Sequence, residues 1–243
     1  MTPDEFLLCS QPITSSTDVT GFELYQFGTC FIARYADRHW VIAATHSLAQ
    51  HGKRDDRLLI PRGEQRLDGL GLGTGIEMGS SHPEDTAFAD ITVFEVAEPL
   101  GHEPELVAFD FDKYAFVHDW DSLQRGDDVI LSGYPQTGLE NGIDYERREV
   151  KRQRFKAQGH YLGPTSSQFM HKIQIEMGRV TEMNGMSGSP IFLSRHGLNR
   201  WAFAGMLLRG NGEGLAQFVD CRAVLYVIWK HEKKQRPSEA SAP

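Results

Sequence analysis

Three short stretches of this sequence carry side chains that could share one reaction. Trp40-Val-Ile-Ala-Ala-Thr-His46 is an apolar run closed by a histidine. Asp90-Ile-Thr-Val-Phe94 opens another apolar run with an acid, and Asn184-Gly-Met-Ser-Gly-Ser-Pro190 sets a serine among glycines. A serine hydroxyl is a poor nucleophile until a neighbouring imidazole can take its proton. The imidazole needs an acceptor that fixes its tautomer and stabilises its charged form. A carbonyl under attack also needs backbone N–H donors for the oxygen that becomes negative. Glycine just before the serine gives the chain the φ values and close approach that such a donor pair requires. His46, Asp90 and Ser187 supply the side chains of this set, and the N–H groups of Gly185 and Ser187 supply the donors.

Each of these residues has a competitor. Any one of ten histidines could be a satisfied structural group, but only His46 closes a buried-strand pattern of this kind. Asp85 lies among polar turn residues, whereas Asp90 directly precedes an apolar run and can be buried against an imidazole. Ser189 is followed by Pro190 and has no glycine two residues before it, so it reads as a packing residue. The nucleophile elbow of α/β-hydrolases, Gly-x-Ser-x-Gly, fails at its last position here. That fold also needs Ser…Asp…His order and alternating helices, and only His196 and His231 follow Ser187.

The elements that must position these groups are short strands. Phe31–Tyr35 and Trp40–Ala44 flank residues 36–39 and predict a hairpin. Further strands are expected at Ile91–Val96, Val129–Ser132, Val150–Phe155, Lys172–Glu176, Ile191–Leu193, Trp201–Leu207 and Ala216–Val219. Helical apolar spacing occurs only over Arg222–Lys234, where the basic last turn suits the negative end of the helix dipole. Many short strands with glycine-rich turns and one terminal helix predict an all-β sandwich or barrel. Residues 1–20, polar and rich in Ser and Thr, read as a loose arm, and 237–243 as a disordered tail. Gly69-Leu-Gly-Leu-Gly-Thr-Gly75 fits no phosphate-loop pattern and reads as a surface loop. The basic run Arg147–Lys156 reads as the solvated face of a strand.

Composition narrows the function classes. Lys and Arg number 25 against 33 Asp and Glu, and an acidic chain is a poor general binder of nucleic acid. The longest apolar runs, such as Ala223–Trp229, are too short to cross a bilayer. The first basic residue is Arg34, so the amino terminus lacks the positive start of a secretory signal. Cys9, Cys30 and Cys221 form an odd, unpaired set that predicts neither a disulfide framework nor a zinc site. The expectation is a cytoplasmic protein without metal or cofactor, without membrane or nucleic-acid partners.

At these motifs the sequence resembles the trypsin/chymotrypsin-like serine peptidases, in their disulfide-free branch with a Gly-x-Ser-Gly-Ser-Pro serine loop. Ala-Ala-Thr-His46 is similar to the family's Thr-Ala-Ala-His, Asp90-Ile-Thr-Val to its Asp-Ile-Ala-Leu/Val, and Gly185–Pro190 to its serine motif. The order His…Asp…Ser is the chymotrypsin order, with gaps of 44 and 97 residues. Gly126–Pro135 also resembles the strand that opens the second half of many members. The resemblance implies a chymotrypsin-like pair of six-stranded antiparallel β-barrels over residues 21–236, with barrel one at about 21–115, barrel two at about 116–221 and a closing C-terminal helix at 222–234. It implies a serine endopeptidase acting on protein or peptide substrates through an acyl-enzyme. His46 would be the base, Asp90 its orienting acid, Ser187 the nucleophile, and Gly185 and Ser187 the oxyanion hole. The rival expectation is a catalytically silent or conditionally ordered binding protein on the same scaffold.

Two departures matter. Secreted trypsins place an aspartate just before the serine to receive a newly cut amino terminus. Met186 stands there and offers no charge, so the serine loop is either preformed or ordered by an activating partner or ligand. The resemblance places the floor of the primary substrate pocket at Thr181 and its wall at Leu207, Leu208 and Arg209. A neutral floor lacks the carboxylate that selects Lys or Arg, which predicts a small or medium uncharged residue at the cleavage site.

Overall fold

The structure is a computed structural model that describes residues 3–16, 20, 24–49, 58–61, 69–72, 75–77, 86–96, 100, 106–136, 142–147, 149–195 and 200–235. Asp85 and the expected 237–243 tail lie outside the described residues. In chain order the strands are β1 (Ser10–Ser16), β2 (Leu24–Tyr35), β3 (Arg38–Ala44), β4 (Leu58–Pro61), β5 (Gly69–Gly71), β6 (Ile76–Glu77), β7 (Ile91–Glu95) and β8 (Phe109–Asp110). The second half holds β9 (Asp128–Gly133), β10 (Gly142–Asp144), β11 (Glu149–Lys151), β12 (Phe155–Pro164), β13 (Met170–Ile175), β14 (Pro190–Ser194), β15 (Ala202–Gly210) and β16 (Leu215–Asp220). Helices α1 (Pro3–Phe6), α2 (Thr45–Ala49) and α3 (Thr86–Ala89) are one turn each, and α4 (Cys221–Gln235) is the long one.

The first half forms a curled half-barrel sheet in the order β5-β4-β1-β2-β3-β7-β6, with β8 parallel to β2. The second half closes into a six-stranded antiparallel barrel, β12-β13-β16-β15-β14-β9. With α4 this is the chymotrypsin-like all-β architecture expected of the sequence. The β2–β3 hairpin turns at Ala36 and Asp37, both at positive φ (50° and 61°). Two such residues make the turn whose twist matches the strands it joins.

Strand alternation divides the core. Cys30, Ile32, Val41, Ala43 and Phe94 point into the first sheet's own cluster. Their neighbours Phe31, Ala33, Trp40, Ile42 and Val93 face the other way, onto Phe192, Phe203 and α4. Both faces are buried, so β2 and β3 read as continuous apolar runs rather than as alternation. The second barrel is filled by Leu131, Ile173, Leu207 and Phe218, among others. Asp220 caps α4 by accepting the N–H groups of Arg222 (2.9 Å) and Ala223 (3.3 Å). Ala223, Val224, Val227 and Ile228 of α4 are buried, at the spacing of one helical face. No helix among the described residues is long and apolar enough to cross a membrane.

Three expectations need correction. Residues 3–16 are not a loose arm. Phe6, Leu7, Cys9 and Ile13 are buried, β1 pairs with both β2 and β4, and the Phe6 ring stacks on Phe192 at 5.3 Å. The polar residues that disguise β1 are satisfied inside: Ser10 Oγ donates to the Ser132 carbonyl and Thr14 Oγ1 to the Leu59 carbonyl, each at 3.0 Å. Gly69–Gly71 is an edge strand rather than surface loop, because Leu70 inserts its side chain into the first core. The basic run is also more than a solvated face. Arg154 donates to the Tyr134 hydroxyl and the Ser10 carbonyl, Arg152 to the Pro61 carbonyl, and Lys156 pairs with Asp4. These side chains tie the second half to the first.

Candidate active site

Strand pairing brings two of the candidate residues together. β3 and β7 are antiparallel neighbours with Ala44 opposite Ile91. His46, just past the end of β3, therefore meets Asp90, just before the start of β7. The Thr45 N–H donates to the Asp90 carbonyl at 3.2 Å, and the His46 N–H to Asp90 Oδ1 at 2.9 Å. Both carboxylate oxygens lie 2.8 Å from His46 Nδ1. An Nδ1–H held this way leaves the lone pair of the neutral ring on Nε2. Nε2 lies 3.0 Å from Ser187 Oγ, which comes from the loop between β13 and β14. The histidine side chain is 40% exposed and the aspartate 25%, so the group opens on solvent through the imidazole.

The serine loop is held by its carbonyls. The Asn184 carbonyl accepts from the Gln136 N–H at 2.8 Å, and the Met186 carbonyl from the Ser189 N–H and hydroxyl at 3.0 and 2.7 Å. In a trans peptide the N–H points opposite to the C=O. The N–H groups of Gly185 and Ser187 are thus turned away from those anchors, and neither donates to another group among the described residues. Two glycines make the path possible. Gly185 (φ 86°) and Gly188 (φ 96°) lie in the left-handed region, and a Cβ on Gly188 would overlap the Thr29 carbonyl.

Three further contributors hold the site, and of these Thr29 carries no local signal in the sequence. Thr29, fully buried on β2, donates to the Gly185 carbonyl (2.7 Å) and accepts the Tyr134 N–H (2.8 Å). It joins the first sheet to the serine loop. Met186, also fully buried, sits in the second barrel's core. An apolar anchor here holds the loop where a charged one was the family expectation. The Leu208 carbonyl accepts from Ser187 Oγ at 2.7 Å. The hydroxyl has one proton, so it is shared between this carbonyl and His46 Nε2.

The expected pocket residues are less united. Leu208 and Arg209 border an open groove of about 620 Å³ with His46, Asp90, Ala89 and Met170. Leu207 does not face it: successive side chains of β15 alternate, and Leu207 points into the second barrel's core while Leu208 points out of it. Thr181 is exposed rather than set at the bottom of an enclosed pocket. The Arg209 guanidinium donates to the Gln217 side chain at 2.9 Å. Among the described residues no cluster of His, Cys, Asp and Glu could hold a metal ion. The chain matches no protein-family model and no curated protein sequence.

Proposed function

We propose that this chain is a serine endopeptidase of the chymotrypsin-like type. The observation that carries the reading is the continuous chain from Asp90 through His46 to Ser187, at 2.8 and 3.0 Å, next to two undirected backbone N–H groups. His46 takes the Ser187 proton as Oγ attacks a peptide carbonyl, and the N–H groups of Gly185 and Ser187 receive the developing oxyanion. His46 then protonates the leaving amine. An acyl-enzyme remains, and water attacks it by the same route in reverse. Asp90 holds the ring orientation and stabilises the imidazolium. Such an arrangement needs no cofactor.

The ordered serine loop supports the preformed alternative over activation by a partner or ligand. Three free, buried cysteines support a cytoplasmic setting. The groove bordered by Ala89, Met170, Leu208 and Arg209 supports an extended protein or peptide substrate.

The second reading, a silent binding protein, has one observation in its favour: the Ser187 proton can rest on the Leu208 carbonyl, leaving His46 unengaged. A fluorophosphonate probe separates the two. Wild-type labelling that disappears in Ser187→Ala supports the enzyme, and an unlabelled wild type overturns it.

A further inference from the structure

The substituents of a carbon attached to Ser187 Oγ have few directions to take. Its oxygen points to the Gly185 and Ser187 N–H groups, and its leaving group points to His46 Nε2. The remaining substituent, the Cα of the acyl residue, runs along the exposed end of β15, whose Leu208 carbonyl already touches Ser187 Oγ. On the endopeptidase reading, the side chain on that Cα enters between β15 at 208–210 and the loop at 181–185.

That space is filled. A methyl group on Gly210 would overlap the Met183 sulfur and lie 3.0 Å from its terminal carbon and 3.2 Å from Ala216 Cβ. Met183 is 6% exposed and packs with the second barrel's core. Its carbonyl accepts from the Met186 N–H at 2.9 Å, which fixes its backbone. One residue pair further out, a Cβ on Gly212 would come within 2.8 Å of the Thr181 carbonyl. The loop therefore closes onto the end of β15 along its length.

We infer that Met183 is the residue that sets specificity at the cleaved bond: its thioether occupies the space for the acyl residue's side chain and admits only Gly, Ala or Ser. This rests on the endopeptidase reading and deepens it. Arg209 plays no part at that position, because its guanidinium is engaged by Gln217.

Two aminoalkyl diphenyl phosphonates test it, one with a methyl side chain and one with a benzyl. In each, the Ser187 O–P bond forms, a P–O bond to phenoxide breaks, and the serine proton leaves through His46 with the phenol. Wild type should react with the methyl reagent at least about 100-fold faster than with the benzyl one, since one carbon too many in a closed pocket is already worth tens of fold. Met183→Ala should raise the benzyl rate and so shrink the methyl-to-benzyl ratio by about 10-fold or more. Met183→Leu, which keeps the volume, should retain the wild-type ratio. If Met183→Ala does not fold, Met183→Val carries the same test with a smaller opening. Equal wild-type rates, or a ratio indifferent to shortening Met183, would overturn the assignment while fluorophosphonate labelling still stands. Loss of all labelling in wild type would instead sink the endopeptidase reading, and this inference with it.

Discussion

Of the histidine–aspartate pairs among the described residues, two are set apart by their surroundings. In the first, His46 and Asp90 are 40% and 25% exposed, and the far ring nitrogen faces a serine hydroxyl across the junction of sheet and barrel. In the second, His171 and Asp220 are 6% and 0% exposed. The His171 Nδ1 lies 2.7 Å from the Tyr161 hydroxyl and its Nε2 3.5 Å from Asp220. Its ring packs on Trp120 and on Phe218 at 4.1 and 5.3 Å. Asp220 is further occupied by Arg222 and by the start of α4. The same residue types thus make a chain to a serine hydroxyl in one place, which the proposed function uses as a proton relay, and a cross-strand tie in the other. What differs is whether the second ring nitrogen meets a group with somewhere to send a proton, in a place that a substrate can reach.

That contrast can be broken by exchange of effects. The largest expected change is in turnover at the first pair. His46→Ala or Ser187→Ala should lower kcat by about 10⁶, because members of such a set act as a unit, with stability changed by about 1 kcal/mol or less. Asp90→Asn should lower it by about 10⁴ through the wrong tautomer. Steady-state kinetics on a peptide substrate together with chemical denaturation reads both quantities. A large stability loss at His46 would erase the distinction.

The second pair should behave in the opposite way. Asp220→Ala removes a carboxylate from a fully buried, paired position and should destabilise the fold by about 3–5 kcal/mol. Turnover per folded molecule should stay within a few-fold. A collapse of kcat in a folded Asp220→Ala protein would show that the buried pair feeds the site.

Acid should sharpen the comparison further. Burial pushes the Asp220 carboxyl up, but the His171 and Arg222 side chains and the Ala223 N–H more than reverse it, so it sits below the ordinary carboxylate value. The unfolded chain then binds protons more readily than the folded one below about pH 4. Stability from this group is fully present above that value and is lost as pH falls through the folded-state pKa. Melting temperatures between pH 6 and 3 should fall more steeply for wild type than for Asp220→Asn. The smallest signal comes from Cys221, next in the chain, whose thiol is pushed by burial up to about 12. A thiol reagent should leave it untouched in wild type and reach it in His171→Ala. Equal, slow labelling in both proteins would mean that the tie does not hold the barrel closed there.

The sequence discloses these regions unequally, for physical reasons. His46, Asp90 and Ser187 are legible because each sits at the mouth of a strand, where a polar residue stands against an apolar run. The hairpin at 36–37, most strands of the second barrel and α4 follow from periodicity and turn residues. β1 is hidden because Ser10, Gln11 and Thr14 are buried polar residues, and the partners of Ser10 and Thr14 lie far away in the chain. The expected strand at Val150–Phe155 is in fact the end of β11 and the beginning of β12, separated by Arg152–Arg154. Those residues leave the ladder to make ties to the first half. Thr29 and Met183 could not be picked out, because each acts through contacts with residues more than twenty positions away. Leu207 and Leu208 are identical letters side by side, and only pairing with β16 decides which one faces the groove.

The burial of Phe6 between Phe109, Tyr114 and Phe192 has a consequence for the order of assembly. As the chain emerges from the ribosome, the segment around Phe6 must wait for nearly two hundred successors before its cavity exists. It is made well before the walls it docks against. Contacts this distant in the chain slow folding, and the unfilled seam leaves aromatic surface open in the meantime. Pulse-labelled hydrogen exchange during refolding would see the amides of Ser10 to Ser16 gain protection in a late phase, after the second barrel has closed.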